Sequence, residues 1–207
     1  MDDAVGPTDA SPSGSRRPDR VSVVAGLGNP GAEYEFTRHN VGFLALERLR
    51  GAERWQREGA LHWLRANVSG QPTWLLRPLS FMNRSGQVVA PFLAAQCLAP
   101  EDCLVLCDDV SLPWGRLRLR REGAPGGHNG LKSIQAALQS NAYPRLRIGV
   151  GAPEPGQDLA DFVLSPLEGS NRDALLQLAA DAALAVQLIQ ALGVDDAMNR
   201  INPVPPS

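Results

Sequence analysis

A histidine and an acid in this sequence have the types and positions that proton transfer requires. His39 lies just before an amphipathic helix that Thr37 opens, in the loop after the apolar run Val21–Ala25. Asp108 directly follows a second apolar run, Cys103–Cys107. Because α/β sheets place their sites at the carboxyl ends of strands, we expect the two side chains to meet there. The carboxylate would then fix the imidazole tautomer and stabilise the imidazolium that forms when a proton is taken.

Both residues also have a structural interpretation. A histidine at a helix start is usually a cap or a surface residue, and Asp108 can form a turn before Pro113. The adjacent Asp109 points to the other side of an extended chain, and a metal site built on these two acids lacks further ligands. The sequence contains no G-x-S-x-G motif and no cysteine with a neighbouring base, so a covalent nucleophile is missing. A histidine base that acts on water remains.

Three asparagines stand near the proposed catalytic pair. Asn29 lies in the loop after the first apolar run, while Asn83 and Asn129 stand at loop-to-helix junctions. Capping is the common reason for an asparagine at such a junction. Three amide groups that converge would instead favour a planar, neutral substrate that needs both donors and acceptors, as a peptide backbone does.

The loop Gly26–Gly31 reads G-L-G-N-P-G and therefore offers a second interpretation. It satisfies the dinucleotide-binding pattern, and Glu47 follows at about the distance of a ribose-binding acid. A dinucleotide-binding oxidoreductase is thus an alternative function. Its context does not fit, because the acid should end a second strand, whereas Leu44–Arg50 has helical periodicity. A tight turn with positive φ explains the glycines but not Asn29.

The elements that position these side chains alternate along the chain. Apolar and alternating runs predict strands at 21–25, 61–68, 73–77, 103–107, 116–120 and 146–150. Helical periodicity predicts helices that start at Thr37 and cover 85–98, with an interruption at Pro91, then 129–139, 170–192 and 195–200. This order predicts an α/β fold, a single three-layer domain with a mixed, twisted sheet flanked by helices. We assign residues 21–200 to it, with a disordered extension at 1–20 and a flexible tail at 201–207.

Composition limits the partners and the compartment. The net charge is −2, and the three cysteines fit no metal or disulfide spacing, so we expect no metal and no other cofactor. No apolar run approaches the roughly 18 residues that span a bilayer, so we expect a cytoplasmic protein with no membrane contact. Four arginines within six residues, at positions 116, 118, 120 and 121, suit phosphate contacts, although a GC-rich genome also favours arginine.

Several segments together resemble the bacterial-type peptidyl-tRNA hydrolase family, in the order and spacing of that family, from about Val21 to Asn199. The segments are VVAGLGNPGAEYEFTRHNVGF, LLRPLSFMNRSG, LVLCDDVSLPWG, GGHNGLKSI, PRLRIGVG and AMNR. The resemblance implies an enzyme that cleaves the ester between a peptide and the 3′-terminal ribose of tRNA, without a cofactor. It also implies a monomer with peptidyl-tRNA as partner. A catalytically inert RNA-binding relative on the same fold is an alternative.

The resemblance also implies roles for single residues. His39 matches the catalytic base, Asp108 the residue that orients it, and Asn29 the residue that positions the water and the ester. The implied peptide and 3′-adenosine site comprises Tyr34, Met82, Asn83 and Asn129, and the implied tRNA phosphate contacts are Arg120, Lys132 and Arg147. Two positions depart from the family: a lysine is common where Arg120 stands, and Pro125 should stiffen a lid segment that is usually glycine-rich.

Overall fold

A computed structural model describes residues 19–203 and contains one mixed sheet of seven strands in the order β2-β3-β4-β1-β5-β7-β6. The strand β1 runs parallel to β4 and β5, β7 runs parallel to β5, and β2, β3 and β6 pair with their neighbours in antiparallel fashion. This confirms the predicted α/β fold. The strands are β1 (Val23–Gly26), β2 (Gln56–Glu58), β3 (Leu61–Val68), β4 (Gln71–Pro78), β5 (Cys103–Asp109), β6 (Leu117–Arg120) and β7 (Arg145–Gly149).

Helices cover both faces of the sheet and give the three layers. The helices α1, α5 and α6 share a hydrophobic core with one face, and α2 and α3 share a second core with the other. In β1, Val24 faces the first core while Val23 and Ala25 face the second, as expected for a central parallel strand. The helices are α1 (Val41–Arg50), α2 (Ser85–Ala95), α3 (Asn129–Leu138), α4 (Leu159–Leu164), α5 (Gly169–Leu192) and α6 (Val194–Ile201).

All of the predicted strands and helices are present. The structure adds one strand and one helix that were not predicted, and it corrects the expected effect of Pro91. Two elements were not predicted from the sequence: β2, whose three residues are all exposed, and α4, which is only six residues long. The strand β2 is too short and too polar for a periodic pattern, and α4 is too short for one. Pro91 was expected to interrupt a helix, but α2 runs through it. Pro91 lies on the exposed side of α2, as does Gln87, whose carbonyl loses its usual N–H partner and can bind water instead.

The helix α5 corrects the expectation that no segment could cross a membrane. By length and composition alone its 24 residues suffice, with a mean hydropathy of 1.6 over the most apolar window. Half of that window is nevertheless buried inside the protein. Leu178, Ala182 and Val186 belong to the hydrophobic core that α5 shares with α1. This is the environment of a core helix in a folded domain.

Two of the four clustered arginines hold the ends of the described chain. Arg116 donates to the backbone oxygens of Asn202 and Pro203, and Arg121 pairs with Asp19 and Asp195. The expectations of disorder at 1–18 and of a flexible tail at 204–207 lie outside the described residues. The domain boundaries therefore stay a prediction, although contacts at both ends extend slightly beyond 21–200.

The glycines of the loop after β1 are explained mainly by close packing. A Cβ atom on Gly26 would lie 2.5 Å from the oxygen of Gly42, and one on Gly28 would lie 2.7 Å from the Phe43 ring. Only Gly31 in this loop has a positive φ, of 120°. The expected turn with positive φ therefore accounts for one glycine of the three, and the others let α1 approach β1 closely.

Glu47 removes the support for dinucleotide binding. It lies on α1, where its carboxylate accepts hydrogen bonds from Arg50 Nε, Trp55 Nε1 and Arg77 Nη1, at 2.5, 2.8 and 2.9 Å. A ribose-binding acid would instead stand at the end of a second strand. Glu47 ties α1 to the edge of the sheet, so the oxidoreductase interpretation is wrong.

Gly42→Ala should destabilise the protein, because a Cβ there would lie 2.7 Å from the backbone of Leu27 and 2.8 Å from the oxygen of Leu106. We expect the free energy of unfolding in urea to fall by about 1–3 kcal/mol. Arg48→Ala, at an exposed position on the same helix, is the control and should change it by less than about 0.5 kcal/mol. Equal values for the two variants would show that the close approach is not needed.

Candidate active site

His39 and Asp108 meet at the carboxyl edge of the sheet. His39 lies in a 3-10 turn, Arg38–Asn40, directly before α1, and Asp108 is the penultimate residue of β5. His39 Nδ1 lies 2.8 Å from Asp108 Oδ1. The His39 side chain is 12% exposed and that of Asp108 is 3% exposed, so the imidazole reaches solvent while the carboxylate does not. The structure thus has the arrangement that the sequence predicted for this pair.

His128 is a third member of the cluster, and no role was predicted for it from the sequence. Its Nε2 lies 3.0 Å from the same oxygen, Asp108 Oδ1. Its Nδ1 accepts hydrogen bonds from the backbone N–H groups of Gly130 and Leu131, which makes it the N-cap of α3. The signal in the sequence is a second histidine directly before a helix.

The contacts of Asp108 determine the protonation pattern of the cluster. Burial alone would raise the pKa of Asp108, but the imidazoles of His128 and His39 outweigh it and hold that pKa well below its ordinary value. The carboxylate is therefore ionised and acts only as an acceptor. We assign the Nδ1 proton of His39 and the Nε2 proton of His128 from these contacts. Nε2 of His39 then keeps its lone pair and can accept a proton.

The same three residues also have the spacing of metal ligands. One atom from each of His39, Asp108 and His128 lies within 4.8 Å of the other two. However, Nδ1 of His128 accepts two backbone N–H groups, so a metal on its Nε2 would require an imidazolate. This is an unfavourable ligand state for a divalent ion. The protonation pattern therefore favours proton transfer over metal binding at this cluster.

Asn29 is held from both its backbone and its side chain. Asn40 accepts from the Asn29 backbone N–H at 2.7 Å and donates to the Asn29 backbone oxygen at 2.9 Å. Asn29 Oδ1 accepts from the backbone N–H of Met82 at 2.7 Å. The amide plane of Asn29 is thereby fixed, with its Nδ2 as the hydrogen-bond donor. Asn40 was not predicted as a site residue, although its position next to His39 in the sequence is a signal.

A cavity of about 460 Å³ opens above this cluster. Its apolar walls include Phe81, which is 56% exposed, and Leu159, which is 50% exposed. Such a site suits a ligand with both apolar and polar parts. Seven of the predicted site residues line the cavity, namely Asn29, His39, Met82, Asn83, Asp108, Asn129 and Arg147.

Three predicted site residues do not line this cavity. Tyr34, expected in the same wall, lies in a 3-10 turn whose backbone oxygen accepts from the Thr37 hydroxyl at 2.8 Å. Tyr34 is not among the residues that line the cavity, and its place in the substrate site stays a prediction. Arg120 lies on the edge strand β6, and Lys132 lies on α3 beside a second groove that Pro125 also lines.

The segment before α3 is held by a buried arginine. Arg145 is 1% exposed, and it donates to the carbonyl oxygen of Gly123 at 2.6 Å and to that of Asn141 at 2.9 Å. Its guanidinium also lies 4.1 Å from the centre of the Tyr143 ring. Because Pro125 and Gly126 line the cavity, Arg145 fixes the backbone of one cavity wall.

The cysteines offer no nucleophile near the cavity. Burial raises the pKa of Cys103 to about 12 and raises that of Cys107 further. Both thiols therefore stay protonated at neutral pH, and both residues belong to the second hydrophobic core. Cys97 is exposed and does not line the cavity.

Comparisons with known proteins agree with this site. The family described as Peptidyl-tRNA hydrolase matches residues 23–207. A peptidyl-tRNA hydrolase of Nocardia farcinica is 42% identical over 187 residues, 87% of this chain and 96% of the relative. One of Thermotoga petrophila is 41% identical over 180 residues, with the same coverage. The crystal structure of a peptidyl-tRNA hydrolase from Acinetobacter baumannii is 38% identical, with a TM-score of 0.80, and the match covers 90% of this chain and 97% of that one.

Replacement of His128 should separate its capping role from its contact with Asp108. His128→Ala should lower the free energy of unfolding by about 0.5–2 kcal/mol, because α3 loses its N-cap. His128→Asn should keep most of that stability, since asparagine is a good cap, yet it cannot reach Asp108 with the same geometry. Urea unfolding curves of the two variants provide the measurement. Equal destabilisation by both would mean that capping is not what His128 contributes to stability.

Proposed function

The chain belongs to the peptidyl-tRNA hydrolase family and hydrolyses peptidyl-tRNA, and we propose that His39, held by Asp108, is the general base of this reaction. The observation that carries the proposal is the 2.8 Å contact between His39 Nδ1 and Asp108 Oδ1. It leaves Nε2 as the basic nitrogen of a partly exposed imidazole in the wall of the cavity.

The reaction begins with water bound next to His39. Nε2 takes a proton from this water while the oxygen attacks the ester carbonyl, which contributes about 10²–10⁴-fold to the rate. Asp108 stabilises the imidazolium that forms, and it remains ionised because its pKa is strongly lowered. The imidazolium then returns the proton to the departing ribose oxygen, so the peptide acid and the tRNA leave.

Asn29 is proposed to stabilise the negative charge that develops on the ester oxygen. Its Oδ1 is committed to the backbone N–H of Met82, so Nδ2 is the half of the amide that can donate to substrate. Asn40 holds its backbone, so the donor is aligned before the substrate binds. One preorganised donor of this kind is worth roughly 10²–10³ in rate.

The remaining polar groups of the cavity are proposed to bind the peptide and the 3′-adenosine. Asn83 and Asn129 are exposed and line the cavity together with the buried Met82. Amide side chains can both donate to and accept from a peptide backbone. An acylated, neutral α-nitrogen fits such groups, whereas a free α-ammonium would lose its hydration without an adequate partner. The site would therefore spare ordinary aminoacyl-tRNA.

Basic residues on one side of the sheet are proposed to bind tRNA phosphates. In the β6–β7 ladder Arg118 is opposite Arg147 and Arg120 is opposite Arg145, and directly opposed residues share one face of a sheet. Leu119 and Leu146 point into the core on the other face. Arg120 and Arg147, with Lys132 on α3, are therefore proposed as the phosphate contacts.

Three coarser features complete the proposal. Residues 21–200 form the catalytic domain, which is supported by a sheet and six helices that all lie between Val23 and Ile201. The protein is proposed to act as a monomer, and one chain supplies the three residues of the catalytic cluster. It works in the cytoplasm, where peptidyl-tRNA arises, and needs no metal. The alternative of an inert RNA-binding relative is not favoured, because RNA binding alone does not require a hydrogen bond between His39 and Asp108.

His39→Ala should abolish peptide release while tRNA affinity and folding stay nearly unchanged, because the imidazole acts on a proton in the transition state. We expect kcat to fall by at least about 10²-fold. Asp108→Asn should lose less, since a misplaced tautomer weakens the base without removing it. Single-turnover release of peptide from peptidyl-tRNA measures both, with Asp196→Asn on α6 as the control. A His39→Ala variant with more than about a tenth of the wild-type rate would exclude His39 as the base.

Lys132→Ala and Arg120→Ala should raise KM for full-length peptidyl-tRNA, most clearly at low salt. Each lost phosphate contact should reduce the slope of log affinity against log salt by about 0.7–0.9. Neither variant should affect a peptide esterified to a short 3′ oligonucleotide, because both residues lie outside the catalytic cavity. Arg57→Ala on β2, at the opposite edge of the sheet, is the control. An unchanged KM from about 50 to 200 mM salt would mean that these cations do not contact tRNA.

A further inference from the structure

The short helix α4 supplies part of the wall of the catalytic cavity. Four of its six residues line that cavity, namely Leu159, Ala160, Val163 and Leu164. The half-exposed Leu159 offers apolar surface that a bound substrate can cover. Because a helix of this length is not stable by itself, its place in the cavity wall depends on the part of the protein that holds it.

The turn that carries the proposed base is the main neighbour of α4. Among the described strands and helices, α4 packs most closely against the 3-10 turn Arg38–Asn40. Arg38 contacts α4 in two ways. Its Nη1 donates to the backbone oxygen of Phe162 at 3.1 Å, and its Cζ lies 4.0 Å from the centre of the Phe162 ring. Arg38 therefore connects the residue next to His39 with the residue next to Val163 of the wall.

The backbone oxygen of Phe162 needs such a donor. It lies in the last turn of α4, and the residue four positions further on is Pro166, which has no N–H group to offer. Arg38 takes the place of the missing donor. A cation at this position also interacts favourably with the carboxyl end of the helix dipole.

The chain after α4 is held by backbone contacts with the residues just before Arg38. The Leu167 N–H donates to the Phe36 oxygen at 2.9 Å, and Thr37 forms a β-bridge with Pro166. These contacts fix the exit of the helix, whereas Arg38 reaches α4 itself. The position of the wall relative to His39 is thus set within one short stretch of chain.

We propose that Arg38 is a positioning residue, which holds α4 against the turn of His39 so that the apolar wall around Leu159 meets the substrate. A planar guanidinium can stack on the Phe162 ring and donate to its carbonyl at once, which a lysine ammonium cannot do. The wall supplies no group to the reaction, so its contact should stabilise ground state and transition state equally. The inference rests on the proposed function of this cavity as the substrate site.

A simpler role for Arg38 makes different predictions. If Arg38 only stabilised the fold, its loss would lower the fraction of folded enzyme and leave KM unchanged. Its effect would also add to that of Leu159→Ala, because the two residues would act independently. If Arg38 acts through α4, KM rises instead, and the effect largely disappears once Leu159 has been truncated. The double variant therefore separates the two roles.

Arg38→Met tests the proposal, because methionine keeps an unbranched apolar side chain and removes the guanidinium. Arg172→Met is the matched control, since Arg172 also stacks on a phenylalanine, with its Cζ 3.5 Å from the centre of the Phe36 ring, but does not line the catalytic cavity. The substrate is a peptide esterified to a short 3′ oligonucleotide. Hydrogen exchange of the Phe162 N–H, which donates to the Asp158 oxygen at 3.0 Å, reports on α4 in the free protein.

We expect Arg38→Met to raise KM for this ester by about tenfold, the scale of partly burying one leucine side chain, while kcat stays within about threefold. Exchange of the Phe162 N–H should become at least about tenfold faster, with no change in α1. Addition of Arg38→Met to Leu159→Ala should raise KM little further, and Arg172→Met should match the wild type.

Three results would overturn the positioning role: unchanged exchange of the Phe162 N–H, a loss in kcat with KM unchanged, or losses that add in the double variant. If Arg38→Met does not fold, Arg38→Lys provides the test, with the same two changes expected at about threefold, and wild-type values would contradict the proposal. If the wild type does not cleave the ester, the proposed function fails, while the exchange measurement still shows whether Arg38 holds α4.

Discussion

One carboxylate oxygen, Oδ1 of Asp108, accepts hydrogen bonds from two imidazoles, and the organisation of the site depends on this shared contact. The acceptor is buried at the end of β5, where an unpaired charge would be costly. Its two donors come from the turn before α1 and from the start of α3. Elements from both faces of the sheet therefore converge on one atom, and the lowered pKa of Asp108 is the electrostatic result.

This constraint also explains features that are not themselves catalytic. His39 can reach β5 only if α1 begins close to the sheet, and the contact between Gly26 and Gly42 permits that approach. His128 reaches the same oxygen while its other nitrogen caps α3, so folding of this helix and organisation of the site are coupled. Asn40 then holds Asn29 beside the cluster. Preorganisation of this kind lowers the reorganisation that the reaction would otherwise require.

Features of the fold and the site that depend on a local sequence pattern could be predicted from the sequence. Apolar runs predicted the central strands, and the positions of His39 and Asp108 after two of them predicted their meeting. The role of His128 depends on a contact across the sheet edge, which no local pattern records. The place of Tyr34 likewise depends on a short 3-10 turn, whose position relative to the cavity no local pattern records. The arginine run likewise gave no indication that Arg116 and Arg121 hold the chain ends while Arg118 and Arg120 share a sheet face with Arg147.

The most direct test of the central claim is the tautomer of His39 in the free enzyme. Nitrogen-15 NMR of histidine-labelled protein distinguishes a protonated ring nitrogen from one that carries a lone pair. Assignment by comparison with His39→Ala identifies the signals. At a pH where His39 is neutral, the account predicts a proton on Nδ1, which faces Asp108, and a lone pair on Nε2, which faces the cavity. A proton on Nε2 of neutral His39 would contradict the account, because the nitrogen assigned as the base could not then accept a proton from water.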